Sequence, residues 1–305
     1  MLQIIVNPAS KSGKGIHIWH EVELQLKEKG IHYQVHLTKF QGDATDTARL
    51  CTLDLKVPIT IVVLGGDGTL NEVIQGICNF DYVTIGYIPT GSSNDFARSL
   101  GMPKKRPEIL DHIINETNIK HIDIGLADYA NHKRCFAVSS GVGFDAAVCA
   151  QANASTLKNK LNKLGLGKLT YLGIALHLLI HEKPVGCNLY LDDLEPIYLP
   201  RFLFIASMVQ RYEGGGFLFC PDADNTDSML DICCVGGIPF LKELCILPSA
   251  FFGKHVNFKG VNIYRAKTVR IVTESPLYIH TDGEVEAKTM EAVMTCLPQK
   301  LKFIC

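Results

Sequence analysis

An apolar run, a glycine-rich turn and a helical pattern follow one another without interruption between Ile59 and Glu72. The run from Ile59 to Leu64 is apolar on both faces, as a central strand of a parallel sheet requires. Parallel strands need a crossover connection, which usually contains a helix. This part of the chain is therefore typical of an α/β domain, in which strands and helices alternate.

The same alternation extends over the first 120 residues. Strand-like patterns occupy residues 4–6, 32–37, 59–64 and 82–88. Helical patterns occupy residues 16–29, residues 43–53 and a stretch that starts near Thr69. Together they predict a Rossmann-like parallel sheet with helices on both faces.

After about Ile122 the pattern changes to short strands separated by Gly, Pro and Asp turns. The strand-like segments are residues 135–139, 188–191, 201–209, 230–235, 268–272 and 277–280. Two helical stretches, near 145–180 and 239–253, interrupt them. The pattern predicts a mainly antiparallel β-sandwich. We therefore predict an α/β domain over residues 1–123 and a β-rich domain over residues 124–290, with the tail 291–305 free to return to the first.

Composition limits the functional classes. The 305 residues contain 30 Lys and Arg against 31 Asp and Glu, and this balance argues against nucleic-acid binding. The eleven cysteines include no CxxC pair, so neither a zinc site nor a disulfide framework is expected. No secretory signal opens the chain, and the apolar stretch Leu169–Ile180 is too short to cross a bilayer. We expect a cytoplasmic protein.

The turn Gly65-Gly66-Asp67-Gly68 has three glycines in four positions. Glycine allows backbone conformations in which successive N–H groups line a concave anion site, and the following helix adds the positive end of its dipole. The turn therefore predicts phosphate binding. Asp67 would repel a phosphate unless a divalent cation lay between them. The alternative is a tight strand–helix turn in which Asp67 caps the helix.

Two more loops follow predicted strands, Asn7 to Gly15 and Pro89 to Asp95. Ligands of open α/β sheets bind outside the carboxyl ends of the strands, so three loops rich in Gly, Ser and Thr at this edge predict a nucleotide site. The first loop is not a Walker A motif, because Pro8 stands at the leading glycine and Gly15 replaces the Ser or Thr. A Walker-type NTPase is excluded.

Two other motifs are decoys. Gly141-x-Gly143-x-x-Ala146 resembles a dinucleotide fingerprint, but no acidic residue occurs in 161–168, where that fingerprint requires one, so we predict a structural turn. The acidic stretch 222–231 is not an EF-hand, because its ninth position is Leu and the required Gly and terminal Glu are missing. From the residues alone, this stretch can be a solvated acidic loop without any bound ion.

The sequence GGDGTLNEV at 65–73, combined with P-x-G-x-x-NDFAR at 89–98, resembles the diacylglycerol-kinase-like lipid kinases, in particular the bacterial soluble branch. GGDGT alone is shared with NAD kinases and phosphofructokinases, whereas LNEV and NDFAR narrow the resemblance to lipid kinases. The resemblance covers the whole chain. It includes the opening Asn7-Pro8 loop and the segments 122–125, 214–216, 221–223 and 281–284.

The resemblance implies a site for ATP. Its contacts would come from Asn7, Pro8, Ala9, Ser10, Lys11, Thr38, Gly65, Gly66, Asp67, Gly68, Thr69, Leu70, Asn71 and Ser92. Ser92 stands where the family usually has Thr and keeps the hydroxyl. The fold implied is an NAD-kinase/diacylglycerol-kinase-like nucleotide-binding domain followed by a β-sandwich that accepts the lipid.

The resemblance also implies Mg²⁺ and a general base. Asp227 would supply a side-chain oxygen to Mg²⁺, and Asp224 and Met229 would supply backbone carbonyls. Ser228 stands where the family commonly has Gly. Glu284 matches the family's proposed general base, with Asp67 as the second catalytic residue. From the residues alone, Glu284 can equally be an exposed side chain after an ordinary Asp282-Gly283 hairpin turn.

The sequence gives less information about the region that would contact the lipid. Residues 157–180 combine lysines with regularly spaced leucines, which fits either a basic amphipathic helix at a membrane surface or a core-packed helix with a solvated lysine face. The eleven histidines, His280 among them, show no metal-ligand spacing, so we expect surface or core residues.

The leading hypothesis is an ATP- and Mg²⁺-dependent lipid kinase that converts diacylglycerol to phosphatidate, with peripheral contact to the inner membrane face. A kinase for another lipid alcohol, such as phosphatidylglycerol or a sphingoid base, is the near alternative. NAD kinase and a nucleotide-sensing module without catalysis are the others. The sequence leaves a homodimer open.

Overall fold

The computed structural model describes residues 1–154, 167–181, 184–238, 246 and 248–305. The chain divides into two compact units. Unit 1 contains Met1–Ile124 together with Pro298–Cys305, and unit 2 contains Gly125–Leu297.

Unit 1 is built on a parallel sheet. Its strands are β1 (Leu2–Val6), β2 (Tyr33–Leu37), β3 (Ile59–Gly65) and β4 (Val83–Pro89), in the order β2-β1-β3-β4. A fifth parallel strand comes from the end of the chain, where Lys302–Ile304 pair with Thr84–Gly86. Because every connection is a crossover, the carboxyl ends of the four strands lie along one edge.

Helices cover this sheet. They are α1 (Gly15–Glu28), α2 (Asp43–Thr52), α3 (Asp67–Gly76), α4 (Asp95–Ser99) and α5 (Arg106–Asn115). Helix α1 buries Ile18, Trp19, Val22 and Leu26 against the sheet, whereas Leu24 is exposed on its other face. The 3.6-residue period of the apolar positions thus becomes the buried face of the helix.

Unit 2 is mainly antiparallel. Its strands are β5 (Ile119–Tyr129, which begins in unit 1), β6 (His132–Phe136), β7 (Ser139–Gly143), β8 (Val185–Leu191), β9 (Ile197–Met208), β10 (Leu230–Gly236), β11 (Val261–Ala266), β12 (Thr268–Thr281) and β13 (Glu284–Ile304, which ends in unit 1). The pairing order is β11-β10-β9-β7-β12-β13, and β8 pairs with both β9 and β12. The predicted fold class, an α/β domain with an antiparallel β-sandwich, is confirmed.

Alternating residues of β10 enter two different cores. Ile232 and Cys234 belong to the core between the strands of the sandwich, and Cys233 and Val235 belong to a second core on the opposite face. Helices α6 (Phe144–Ala154) and α7 (Gly167–His181) contribute to the second core. The sheet is therefore buried on both sides, which explains the continuous apolar run from Ile232 to Val235 in β10.

Some elements differ from the sequence predictions. Residues 268–272 and 277–280 form one strand, β12, with an irregularity in its pairing with β13 between Val272 and Leu277. Strands β5 and β11 and helix α5 were not predicted, and α3 begins at Asp67 rather than near Thr69. Residues 155–166 of the first predicted helical stretch, and most of 239–253, lie outside the described residues. Within the described part of the chain, no helix combines the length and hydropathy needed to span a bilayer.

Candidate active site

The three glycine-rich loops of unit 1 meet at one edge of its sheet. Asn7 donates its backbone N–H to Leu64 O at 2.8 Å, and Thr90 donates to Gly65 O at 2.7 Å. Thr38, at the end of β2, donates to Val6 O at 2.9 Å. The sheet register itself therefore brings together the ends of four strands, as the sequence predicted for the loops.

Side-chain hydrogen bonds then connect the loops. The amide of Asn7 donates to Thr69 Oγ1 at 3.0 Å and accepts from Ala9 N at 3.0 Å. The hydroxyls of Ser10 and Thr90 lie 2.8 Å apart. The opening loop is thus attached to the start of α3 through Asn7 and to the loop after β4 through Ser10.

The opening loop has an uncommon backbone. Lys11, Ser12 and Gly13 all have positive φ, at 52°, 57° and 88°, and all three are exposed. A Cβ at Gly15 would lie only 2.3 Å from Asn7 O and 2.4 Å from Ser10 Oγ. The close packing of this loop on itself therefore requires glycine at the position where a Walker motif has Ser or Thr.

The loops after β3 and β4 touch backbone to backbone. A Cβ at Gly91 would lie 2.7 Å from Gly66 Cα, so position 91 needs glycine, and a Cβ at Gly66 would lie 3.1 Å from Gly91 Cα, so a side chain there would push the two loops apart. Helix α3 begins immediately after Gly66, and this residue provides no side-chain cap. The first N–H groups of a helix have no partner within the helix, which makes this point suited to an anion such as a phosphate. The geometry therefore fits the phosphate groups of a nucleotide.

Asp67 does not cap its own helix, because the cap position is Gly66. Its carboxylate accepts hydrogen bonds from Asp95 N at 2.9 Å and Phe96 N at 3.4 Å, at the start of α4. Tyr87 Oη donates to the same carboxylate at 3.4 Å. Burial, followed by the charge of Asp67, raises the pKa of Tyr87 well above its usual value, so its hydroxyl keeps its proton. Asp67 thus joins the GGDGT turn to the NDFAR helix.

Two other carboxylates of the matched motifs have structural partners. Asp95 is buried and pairs with Arg98 at 2.7 Å. Asp123 is fully buried and accepts from Gln299 N at 2.6 Å, which ties the end of the chain to unit 1.

The loop predicted to hold Mg²⁺ lies in unit 2. Asp224 Oδ1 accepts from Thr226 N at 3.0 Å and Thr226 Oγ1 at 2.7 Å, and Asp227 Oδ1 accepts from Met229 N at 3.0 Å. The other oxygen of Asp227 pairs with Arg265. Ser228 has a φ of 65°, so the turn keeps the left-handed conformation for which the family commonly uses Gly. The carboxylates of Asp224 and Asp227 offer oxygen ligands to a cation, but Arg265 already neutralises part of the charge of Asp227, so Mg²⁺ would compete with this ion pair.

Glu284 is the first residue of β13 and follows a two-residue turn. Asp282 and Gly283 have φ values of 50° and 84°, as a type I′ hairpin turn requires, and Thr281 pairs with Glu284. The carboxylate of Asp282 accepts from the N–H groups of Ala137, Val138 and Ser139 at 2.9, 2.8 and 3.0 Å. The hairpin suggested by the sequence is present, but it is anchored to the segment that leads into β7, and Glu284 is only partly exposed.

A buried cluster lies beside this turn. His280 Nε2 is 3.1 Å from Asp145 Oδ2 and 3.1 Å from Glu213 Oε1, and His280 is fully buried. Burial lowers the pKa of His280, but Glu213 and Asp145 outweigh burial and raise the pKa well above its usual value. Burial raises the pKa of Asp145. His280 is a core histidine, as expected, but its carboxylate partners are 135 and 67 positions away in the sequence, so spacing gave no sign of them.

Unit 2 also contains an apolar pocket. Its wall includes Phe144, Leu179, Phe204, Phe219, Ala250 and His255. His255 is buried, and its Nε2 lies 3.0 Å from Phe219 O, while its Nδ1 has no hydrogen-bond partner among the described residues. Burial lowers the pKa of His255, so the ring adds little charge to this pocket.

The lysine-rich stretch 157–180 is described only from Gly167 onward, and Lys158, Lys160 and Lys163 lie outside the described residues. In the described part, α7 buries Ala175, Leu178 and Leu179 in the second core of unit 2. Ile180 is 64% exposed on the other side of this helix.

Comparisons with known proteins agree with this architecture. Residues 1–127 match the family model of the diacylglycerol kinase catalytic domain, and residues 137–305 match that of the YegS C-terminal NAD kinase beta sandwich-like domain. A diacylglycerol kinase of Mycobacterium tuberculosis (strain ATCC 25618 / H37Rv) is 30% identical over 303 residues, which cover 98% of this chain and 93% of that protein. The diacylglycerol kinase of Bacillus subtilis (strain 168) is 28% identical over 296 residues, covering 92% and 89%.

A solved structure shows the same fold. The crystal structure of a diacylglycerol kinase from Bacillus anthracis str. Sterne superimposes with a TM-score of 0.70 at 21% sequence identity. The match covers 99% of this chain and 96% of that one. Both units are therefore present in a protein of known structure.

Proposed function

Because the chain belongs to the family of bacterial diacylglycerol kinases and YegS-like lipid kinases, we propose that it transfers the γ-phosphate of ATP to the hydroxyl of diacylglycerol. The enzyme class, a lipid kinase, follows from the family. The single observation that carries the nucleotide half of the proposal is the meeting of three glycine-rich loops at one sheet edge of unit 1.

We place the triphosphate of ATP against the loops that begin at Asn7, Gly65 and Pro89. The close approach of Gly66 to Gly91 leaves backbone rather than side chains facing the phosphates. The start of α3 supplies N–H groups, and Lys11 supplies a positive charge from the opening loop. Phosphoryl transfer depends mainly on positioned phosphates and neutralised charge, which these groups provide together with Mg²⁺.

Two places in the chain have the donor chemistry for Mg²⁺. Asp67 offers a carboxylate next to the proposed phosphate site, and the loop 224–229 offers Asp227 and the carbonyl oxygens of Asp224 and Met229. Carboxylate and carbonyl oxygens are the protein ligands that Mg²⁺ prefers. When bound, the ion would neutralise negative charge on the transferred phosphate.

Glu284 is the proposed general base. It would take the proton of the lipid hydroxyl while that oxygen forms a bond to the γ-phosphorus and the bond to the leaving ADP oxygen breaks. The support is local: Glu284 is partly exposed and stands on a turn that Asp282 anchors through three backbone N–H groups. A base must be held in place to be effective.

We propose that an acyl chain enters unit 2 at the apolar pocket, whose cavity volume of about 30 Å³ means that the chain must widen it on binding. Its phenylalanine and leucine side chains offer the surface that a hydrocarbon chain needs, and His255 carries little charge. Two exposed apolar residues lie next to the pocket in the sequence. Ile180 directly follows the pocket residue Leu179, and Phe252 is two positions after the pocket residue Ala250. We propose that these residues contact the membrane surface from which the lipid is drawn.

Co-sedimentation with vesicles tests this surface. Phe252 is 74% exposed, so Phe252→Ser should reduce binding to diacylglycerol-containing vesicles with little change in thermal stability. Leu194→Ser, at another exposed position of unit 2, is the matched control. If both variants bind vesicles as well as the unchanged protein does, Phe252 does not contact the membrane.

Transfer of labelled γ-phosphate tests the whole proposal. The protein is incubated with labelled Mg²⁺-ATP and a total lipid extract, and the labelled product is identified. Phosphatidate is the expected product. Transfer of label to phosphatidylglycerol or to a sphingoid base would identify a different lipid acceptor. Transfer of label to NAD in a parallel reaction would identify the protein as an NAD kinase. ATP binding without transfer to any acceptor would favour a nucleotide sensor.

A further inference from the structure

Each of the two peptide units that meet at Gly283 is held by a side chain. Gly283 donates its N–H to His280 Nδ1 at 3.2 Å, and its carbonyl accepts from Asn153 Nδ2 at 3.2 Å. The N–H belongs to the peptide unit between Asp282 and Gly283, and the carbonyl belongs to the unit between Gly283 and Glu284, so neither unit can rotate without losing a hydrogen bond. The backbone position from which Glu284 extends is therefore determined by two side chains that lie outside the turn.

His280 is itself fixed by the buried cluster. Its Nδ1 accepts from Gly283, so the ring proton belongs on Nε2, between Asp145 Oδ2 and Glu213 Oε1. The carboxylates raise the pKa of His280, but protonation of Nδ1 would remove the lone pair that accepts from Gly283, so the turn is held by the neutral form of the ring. Two carboxylates hold Nε2, and the ring cannot turn away from Gly283 without leaving them unpaired in a buried site.

The three ligand-type atoms of this cluster lie within 4.8 Å of one another, a spacing that would also suit a metal ion. A metal on Nε2 would move the ring proton to Nδ1, because a neutral imidazole carries a single N–H. Nδ1 would then present a hydrogen to the N–H of Gly283. The contact with Gly283 therefore favours a proton rather than a metal between the ring and the carboxylates.

The decoy glycine motif provides the space for this cluster. Gly141 pairs with His280 across β7 and β12, and a Cβ at Gly141 would lie 1.8 Å from Asp145 Oδ2 and 2.5 Å from His280 Nε2. Ser140 Oγ donates to His280 O at 2.8 Å. The glycine that resembles a dinucleotide motif is thus needed because two polar side chains occupy the volume above it.

Besides the contact between His280 and Gly283, helix α6 provides a second connection between the buried cluster and the turn. Asp145 lies in its first turn and Asn153 near its end, so one helix supplies both the partner of His280 and the partner of Gly283 O. We propose that His280, oriented by Asp145 and Glu213, and Asn153 are positioning residues that hold the Asp282-Gly283 turn so that Glu284 meets the lipid hydroxyl. This inference rests on the proposed function, in which Glu284 is the base.

Two substitutions of His280 separate its two contacts. Asn places an acceptor where Nδ1 stands and can still take the N–H of Gly283, whereas Gln reaches the carboxylates and loses that acceptor. We expect His280→Gln to lower kcat about 10- to 100-fold, the scale of a misplaced catalytic group, with KM for ATP nearly unchanged. His280→Asn should keep more of kcat despite lower thermal stability. A purely structural role predicts the reverse order, and that result would overturn the inference.

Asn153 provides a test that does not depend on the folding of His280 variants. It is exposed, so Asn153→Ala should fold and should lower kcat severalfold through the lost contact with Gly283 O. Gln151→Ala, exposed on the same helix, is the matched control and should leave kcat unchanged. Equal kcat for both variants would contradict the inference.

Combination with Glu284→Gln distinguishes this inference from the proposed function. If His280 and Asn153 act through Glu284, neither His280→Gln nor Asn153→Ala should lower kcat further in the Glu284→Gln protein. A further loss there would mean that they act by another route. Near-normal activity of Glu284→Gln alone would overturn the base assignment itself. An inactive Glu284→Gln together with a normal kcat for His280→Gln and Asn153→Ala would overturn only the positioning role.

Discussion

The glycine-rich edge of unit 1 and the buried cluster of unit 2 differ in what they are made from. The edge is built from contiguous motifs whose backbone, partly exposed, is expected to bind a ligand. The cluster brings together Asp145, Glu213 and His280, whose side chains are largely or fully buried. In our proposal the edge offers groups to a substrate, whereas the cluster holds the turn before Glu284 in place.

This difference predicts different responses to substitution. Changes at the edge should affect nucleotide binding, and changes at the Glu284 turn should affect turnover. Four substitutions test this division.

Glu284→Gln should have the largest effect. Loss of a general base lowers kcat by roughly 100- to 10,000-fold, whereas ATP binding should survive because Glu284 is not in the nucleotide loops. Steady-state kinetics and calorimetric titration with ATP measure the two quantities separately. Loss of ATP affinity in this variant would show that the two regions are not separate in function.

Gly91→Ala should disrupt the edge. The added Cβ would lie 2.7 Å from Gly66 Cα, and overpacking of this kind typically costs about 1–3 kcal/mol. Because the two loops must separate, we expect weaker ATP binding in titrations. Gly173→Ala, in α7, is the control, since a Cβ there meets nothing within 4 Å and the substitution should be neutral or stabilising. Unchanged ATP affinity in Gly91→Ala would exclude this contact from the nucleotide site.

Asp67→Ala should impair the use of Mg²⁺-ATP. The substitution removes a negative charge from the proposed phosphate site and leaves the N–H groups of Asp95 and Phe96 without their acceptor. We expect a shift of the Mg²⁺ dependence of activity to higher concentration, measured at saturating ATP. Asp67→Asn keeps an acceptor and separates the two causes. An unchanged Mg²⁺ dependence in both variants would contradict a role near the metal.

Ser10→Ala should have the smallest effect. It removes one hydrogen bond, to Thr90 Oγ1 at 2.8 Å, and a neutral hydrogen bond contributes about 0.5–1.5 kcal/mol. The expected result is a severalfold rise in KM for ATP with kcat nearly unchanged. A fall in kcat without a change in KM would assign Ser10 to the chemical step instead.

Patterns in the sequence determined the main elements of unit 1 and the fold class. The two-faced apolar run before Gly65, the glycine-rich turns and the period of α1 depend on residues close together in the chain, and the fold class inferred from such patterns is confirmed. The kinase family, which was inferred from the resemblance of the 65–73 and 89–98 motifs to known lipid kinases, is also confirmed. Local patterns succeed here because a strand, a turn and a helix start are each specified by neighbouring residues.

The tertiary structure decided the rest. Asp67 meets the start of α4 because β3 and β4 are adjacent in the sheet. Neither interpretation of Asp67 from the sequence, a cation between it and a phosphate or a cap of its own helix, indicated this contact. The pairing of β7 with β12 places Gly141 opposite His280 and so makes room for Asp145. Contacts between residues that are far apart in the chain depend on sheet register and on excluded volume, and neither leaves a periodic signal in the sequence.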